Sequence, residues 1–343
     1  MKSSVISSTL ALAAAGVVDA AAIPDVSSTL QNILQNTHGS DLYTYPTDLT
    51  RGIIPVRHHV YFGGELAHAD DDESNQKPFH SHNDYWRDVP FYSGLSYGAV
   101  STEADVWLIN GTLYVGHEES ALTHVRTLDA LYISPILDTL KRQNPTTPFA
   151  PPNTKNGVFD TSSGQTLYLW IDLKTSADTT FPAAHAALEP LRQAGYLTTY
   201  FPSNSSLVPG AVTVIGTGNT RLSDVLDQNG ADVRDFFLDA PLAGDMPDEI
   251  TGPEVSPVAS TDFAAVFGEV KGAAVPALNE TQLETLRKQV GAVHAKGIAA
   301  RYWDTPGYPV GTRNAVWRTL LDEGVDLLNV DDLEGAAGFW EME

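Results

Sequence analysis

The sequence predicts an α/β protein built on parallel strands: an eight-stranded (β/α)8 barrel, with an open doubly wound sheet as the alternative. Three observations predict it. Apolar, strand-like runs recur along the chain and alternate with segments of helical periodicity, the order that parallel sheets require. Seven such runs are clear and an eighth is weak, and eight parallel strands close a barrel. No G-x-G-x-x-G follows the first run, which weighs against a dinucleotide-binding sheet.

Residues 1–22 carry Lys2, an apolar run from Val5 to Val18 and the small residues Ala20 to Ala22, the make-up of a secretory signal peptide. A mitochondrial presequence would be rich in arginine, but the first arginine is Arg51 and Lys2 is the only lysine before it. Residues 23–76 lack clear periodicity and read as an N-terminal arm or pro-segment, which leaves 77–343 as one barrel domain. Strands are expected at Pro78–Ser81, Ala99–Trp107, Leu167–Leu173, Val212–Gly216, Phe236–Asp239, Ile298–Trp303 and Val325–Val330, with the weak one near Ser256–Ser260. Helices are expected at Leu128–Arg142, Ala183–Ala194 and from Asn279 to Gly297. In the last, Asn279 suits an N-cap, Leu283, Leu286, Val290 and Val293 share one face, and Gly297 suits the stop. The loop "PLAGDMPDEITGPEVSP" follows the Phe236–Asp239 strand and is expected on the face of the barrel that carries pockets.

The composition narrows the function. With 343 residues and 42% hydrophobic content the chain can bury a sizeable core, and with no cysteine that core acts without disulfides. Beyond residues 1–22 no apolar run is long enough to span a bilayer. Sequons at Asn110, Asn204 and Asn279 accompany the secretory leader and fit a glycoprotein. A formal charge of −23, from 43 acidic against 20 basic residues, argues against nucleic acid and anionic membranes as partners. An anionic substrate would need a local positive centre, such as a bound cation.

One stretch gathers the chemistry: "PFHSHNDYWRDVPFYSGLSYGAVSTEADVWLINGTLYVGHEES", from Pro78 to Ser120. Glu103 and Asp105 lie two apart on a strand, so both side chains share a face. Two buried carboxylates repel, and a hard divalent cation, Mg²⁺ first and Ca²⁺ second, is the natural compensator. Asn110-Gly111 is a hairpin signal that folds His117 back beside that strand. Strict pairing sets His117 opposite Ala104, on the wrong face, so the ladder must twist or break near Gly116. His80 and His82 end the first strand, where a barrel presents acid–base groups. Asp172 and Lys174 end the third and share a face, a third oxygen ligand and a positive contact for a phosphate oxygen. Trp303 ends another strand and suits a pocket wall. His124, His185 and His294 read as surface or capped residues.

In order, H-S-H-N-D-Y, E-A-D-V-W, L-Y-V-G-H, I-D-L-K-T and R-Y-W resemble the phosphatidylinositol-phospholipase-C-like phosphodiesterase superfamily, over roughly residues 76–335. Within it the chain is most similar to the fungal family named altered inheritance of mitochondria protein six, with glycerophosphodiester phosphodiesterases and sphingomyelinase-D-type phospholipases as wider relatives. The resemblance implies a TIM barrel of the phospholipase-C-like type, a metal on Glu103, Asp105 and Asp172, and His117 as one of two acid–base histidines. For the other, H-x-x-N spacing matches His80 and S-H-N matches His82; in the second case Asn83 also contacts the metal. Lys174 and Trp303 match substrate-contacting positions. The implied activity is metal-dependent hydrolysis of a phosphoric diester, a glycerophosphodiester or phospholipid-type substrate. The chain departs from the pattern in lacking the H-R-G of housekeeping glycerophosphodiesterases, and its leader reads as secretory although the family name points to mitochondria. Two other classes stand beside this one. A catalytically silent barrel would bind a lipid headgroup or glycan without metal. A glycosidase would need two carboxylates across a cleft, for which Glu103 and Asp105 are poorly placed.

Overall fold

The computed structural model describes residues 79–148, 155–159 and 162–341, so the expected signal peptide and arm lie outside the described residues. Eight strands run parallel: β1 (Phe79–Ser81), β2 (Ser101–Ile109), β4 (Leu167–Leu173), β7 (Val212–Gly218), β8 (Phe236–Pro241), β9 (Val258–Asp262), β10 (Ala299–Trp303) and β11 (Leu327–Val330). Each pairs with the next in chain order, and β1 bonds to both β2 and β11, which closes the ring and excludes the open sheet. Strand β3 (Thr112–Val115) extends β2 as an antiparallel hairpin, and β5 (Thr199–Phe201) with β6 (Ser206–Val208) forms a separate ribbon. The weak eighth strand is β9, two residues later than the sequence suggested, because Pro257 precedes the ladder.

Helices return the chain between most strands: α1 (Tyr92–Ser96), α2 (Ser134–Gln143), α3 (Ala177–Ala187), α4 (Glu189–Gln193), α5 (Leu222–Asp227), α6 (Phe263–Phe267), α7 (Glu280–His294), α8 (Val310–Asp322) and α9 (Leu333–Glu341). Between β8 and β9 no helix forms. The segment 242–257, expected near the strand ends, instead runs down the outside in a helix's place. Lys296, beyond the C-terminus of α7, donates to the Ile250 carbonyl at 2.7 Å, and Leu238 N–H donates to Val255 at 2.9 Å. Among the described residues no helix is long and apolar enough to cross a membrane.

The two-residue period of a strand divides the barrel wall. Outward positions such as Ala104, Val106, Leu169, Ile171, Tyr302 and Leu328 are fully buried beneath the helices. Inward positions near the C-terminal strand ends are polar: His80, Glu103, Asp105, Asp172, Asp239, Ser260, Arg301 and Asn329. The barrel therefore presents an apolar outer face to its helices and a charged inner rim to solvent.

Helix α7 follows its sequence closely. The Asn279 side chain accepts from Gln282 N–H at 3.0 Å, and the Gln282 side chain accepts from Asn279 N–H at 2.9 Å. Leu283, Leu286, Val290 and Val293 are buried, and Gly297 at φ +72° ends the turn. Asn279→Ala removes one half of this box and should cost about 1 kcal/mol. Chemical denaturation should show that loss as a lower midpoint at an unchanged slope.

Candidate active site

Glu103 and Asp105 on β2 and Asp172 on β4 meet at the C-terminal end of the barrel, with one oxygen of each within 4.8 Å of the others. Asp105 pairs directly with Asp172 in the β2–β4 register, which fixes their separation through the backbone. Lys174 lies between them, its ammonium 3.0 Å from Asp105 Oδ2 and 2.9 Å from Asp172 Oδ2. The other oxygen of each, Asp105 Oδ1 and Asp172 Oδ1, is buried without a hydrogen-bond partner. An orphaned anionic oxygen on each of two adjacent carboxylates suits a divalent cation, which prefers oxygen ligands. Gly218 at the end of β7 makes room for this arrangement. It sits at φ +64°, and a Cβ there would lie 2.0 Å from Asp172 Oδ1.

Two histidines stand against this cluster, each held by a carboxylate. His82 Nδ1 lies 2.7 Å from Asp331 Oδ1, just beyond β11, and its Nε2 lies 3.9 Å from Glu103. His117 Nδ1 lies 3.1 Å from Asp105 Oδ2. A carboxylate only accepts, so each Nδ1 carries the proton and each Nε2 is left as the unprotonated nitrogen. His117 reaches Asp105 because the hairpin ladder stops: Gly116 N–H still donates to Asp105 O at 3.1 Å, and the chain then turns away. The turn itself uses Asn110 and Gly111, both at positive φ, as the hairpin signal requires.

His80 differs from its neighbour. It is fully buried, with Nδ1 2.7 Å from Ser101 Oγ and Nε2 3.4 Å from Glu103 Oε2, whereas the His82 side chain is 23% exposed. Asn83 adopts a left-handed conformation at φ 49°, which aims its backbone N–H at Glu103 Oε2, 2.9 Å away. Its side chain bonds Tyr85. Trp303 is 38% exposed at the end of β10. His185 and His294, expected as surface or capped residues, pair with Asp235 and Asp326, away from the cluster.

Burial raises Asp105 to about 6, aided by the charges of Glu103 and Asp172 and opposed by Lys174. Burial also raises Asp172 against the pull of Lys174. For Glu103 burial opposes the charge, but the hydrogen bond from His80 and the nearby positive groups outweigh it and hold the carboxyl below its usual range. His80 is pushed down to about 3 by burial and by Arg301, so at neutral pH it is an uncharged donor to an ionised Glu103.

Sequence reading does not single out several groups in the site, although Tyr85 and Arg301 fall inside the quoted motifs. Tyr85 places its hydroxyl 2.7 Å from Asp105 Oδ2 and 3.1 Å from His117 Nδ1. Arg87 donates to the Asp331 carbonyl at 2.6 Å, joining the ends of β1 and β11. Arg301 is buried in the barrel in the middle of β10, and Asp331, just beyond β11, holds His82.

Residues 72–239 match the AIM6-like phosphodiesterase domain. The chain is 50% identical to the Altered inheritance of mitochondria protein 6 homolog of Arthroderma benhamiae over 348 residues, covering 99% of this chain and 100% of that protein. It is 37% identical to Altered inheritance of mitochondria protein 6 of Eremothecium gossypii over 274 residues, covering 76% of this chain and 68% of the relative. Among solved structures, the phosphatidylinositol-specific phospholipase C from Listeria monocytogenes is 10% identical at a TM-score of 0.37, covering 78% of this chain and 91% of that one. A glycerophosphoryl diester phosphodiesterase from Parabacteroides distasonis is 12% identical at a TM-score of 0.37, covering 91% and 92%.

Asp239 on β8 makes the inner wall sensitive to pH. Burial raises its carboxyl to about 7, opposed by Arg301 and by hydrogen bonds from Ser260 and Thr217. The folded chain therefore holds this proton more tightly than the unfolded chain does. The resulting stabilisation is complete below the unfolded value of 3.8 and is lost as pH rises through about 7. Asp239→Asn should flatten that part of the profile: between about pH 4 and 7 the wild type should lose more thermal stability than the variant. Parallel profiles for the two proteins would contradict the assignment.

Proposed function

The chain belongs to the altered inheritance of mitochondria protein 6 family, and on that premise we propose that it is a secreted, cation-dependent phosphoric diester hydrolase. The observation that carries the reading is the pairing of His82 with Asp331 and of His117 with Asp105 beside one acidic cluster. Each histidine is oriented through Nδ1 and offers Nε2, the arrangement that proton transfer in both directions requires. The reading of secretion rests on the leader-like residues 1–22.

A divalent cation on Glu103, Asp105 and Asp172, Mg²⁺ before Ca²⁺, supplies positive charge to the phosphoryl oxygens when bound. Three carboxylates and Lys174 leave the cluster two charges negative, which repels a diester; a divalent cation brings it to neutral. Lys174 then offers an ammonium to a phosphoryl oxygen while keeping both aspartates in place. One histidine takes the proton of the nucleophile, water or a substrate hydroxyl, and the other protonates the departing oxygen. Asp331 and Tyr85 are positioning groups that hold the two rings. Asn83 fixes Glu103 through its backbone, and Trp303 walls the substrate side. The substrate class is a glycerophosphodiester or phospholipid-type diester.

The test is hydrolysis of bis(p-nitrophenyl) phosphate and of a choline lysophospholipid panel, with EDTA and then with added Mg²⁺ or Ca²⁺. Activity should vanish with EDTA and return with one metal. His82→Ala and His117→Ala should each lower kcat by about 10²- to 10⁴-fold, and Glu103→Gln should lose metal binding as well. Full activity in both histidine variants would sink the mechanism. A folded protein that neither turns over a diester nor binds metal would be a silent barrel.

A further inference from the structure

His80 is the one histidine of the H-S-H motif that cannot meet a substrate, since none of its surface reaches solvent. Both its nitrogens are engaged within β2, one with Ser101 Oγ at 2.7 Å and one with Glu103 Oε2 at 3.4 Å. Ser101 and Glu103 are successive inward positions of the same strand, so the ring bridges them from β1. The edge of the ring packs on Trp170, with centroids 5.2 Å apart. On that same indole lies the Arg301 guanidinium, 4.5 Å from the ring centroid. Arg301 is anchored in turn by Asn329 Oδ1 at 2.6 Å and Ser260 Oγ at 3.3 Å. The series crosses the barrel from β9 and β10 through β4 to β1 and ends on a carboxylate of the acidic cluster.

We propose that Arg301, Trp170 and His80 form a positioning stack that sets the Glu103 carboxylate for a divalent cation, with His80 acting through Glu103 rather than on the substrate. The proposal rests on the cation reading of the preceding subsection. Its physical basis is preorganisation. A free glutamate must give up several rotatable bonds to coordinate an ion, whereas Glu103 Oε2 is already held by His80 and by Asn83 N–H. Close packing on Trp170 prevents the ring from swinging away, and the buried Arg301 guanidinium over the indole holds Trp170 by cation–π attraction.

The test measures Mn²⁺ binding by isothermal titration calorimetry, with the spectrum of bound Mn²⁺ as an independent readout, alongside the pH profile of any diesterase activity. His80→Phe keeps the ring packing but removes both nitrogens, and should weaken Mn²⁺ binding by about 10- to 100-fold. His80→Gln, which restores an N–H donor, should recover part of that loss. The shape of the pH–rate profile should persist in the His80 variants and change in His82→Ala. Ser101→Ala, a small buried change that frees only the Nδ1 contact, guards against a His80→Phe chain that fails to fold, and should also weaken binding. If the wild type binds no Mn²⁺, the cation reading itself fails. If the wild type binds and folded His80→Phe or Ser101→Ala binds equally well, the stack has no positioning role. A pH profile altered by His80→Gln would instead make His80 an acid–base group.

Discussion

Everything at the open end of this barrel answers to one constraint, the burial of three carboxylates side by side. Two unit charges about 4 to 5 Å apart repel by about 3 to 4 kcal/mol at an effective dielectric of 20. Glu103, Asp105 and Asp172 contain three such pairs. The protein offsets this from several directions at once. Lys174 contacts two of the three, and the Asn83 backbone N–H, His80 and His82 gather at the third. Burial and the neighbouring carboxylates raise Asp105, while burial and Arg301 remove the charge of His80 against the pull of Glu103.

The ionic cluster is affordable because the strand period keeps it apart from the apolar packing. In β2 the sequence S-T-E-A-D-V alternates inward Ser101, Glu103 and Asp105 with Thr102, Ala104 and Val106 beneath the helices. A slip of one residue would put two carboxylates into the hydrophobic layer. The parallel register with β4, set by a full ladder from Ser101 to Val106, guards against that slip. Shape and charge are therefore specified by the same hydrogen bonds.

The sequence made much of this legible. Strand β4 falls at Leu167–Leu173 as its composition suggests, and α7 begins and ends at its cap and its glycine. The E-x-D pair, the D-x-K pair and the hairpin glycine mark the acidic cluster because each is a local pattern. His117 was harder, since register alone sets it opposite Ala104, and only the end of the ladder at Gly116 lets it turn to Asp105. The choice between His80 and His82 was closed to spacing. What the structure adds is their surroundings, His80 enclosed and His82 partly exposed, and that burial depends on closure of the ring. Asp331 had no local signature, and Tyr85 and Arg301, though inside quoted motifs, gave no sign of their role, because Asp105, His117, Trp170 and Asn329 reach them only through the fold. The helical reading of Ala183–Ala194 shifted for a different reason: Pro190 tolerates the first turn of a helix, so two short helices meet where one was expected.

The three-residue strand β1 is the keystone of the ring, and its partners come from opposite ends of the barrel sequence. The contact between His82 and Asp331 spans 249 residues. A chain that emerges from the ribosome N-terminus first exposes its acidic residues and His117 long before the aspartate that orients His82 exists. The pairing of His82 with Asp331 is thus among the last contacts the polypeptide can make. Truncated products and stalled nascent chains carry the motif without this pairing, and vectorial synthesis itself delays completion of the site until the whole domain has been made.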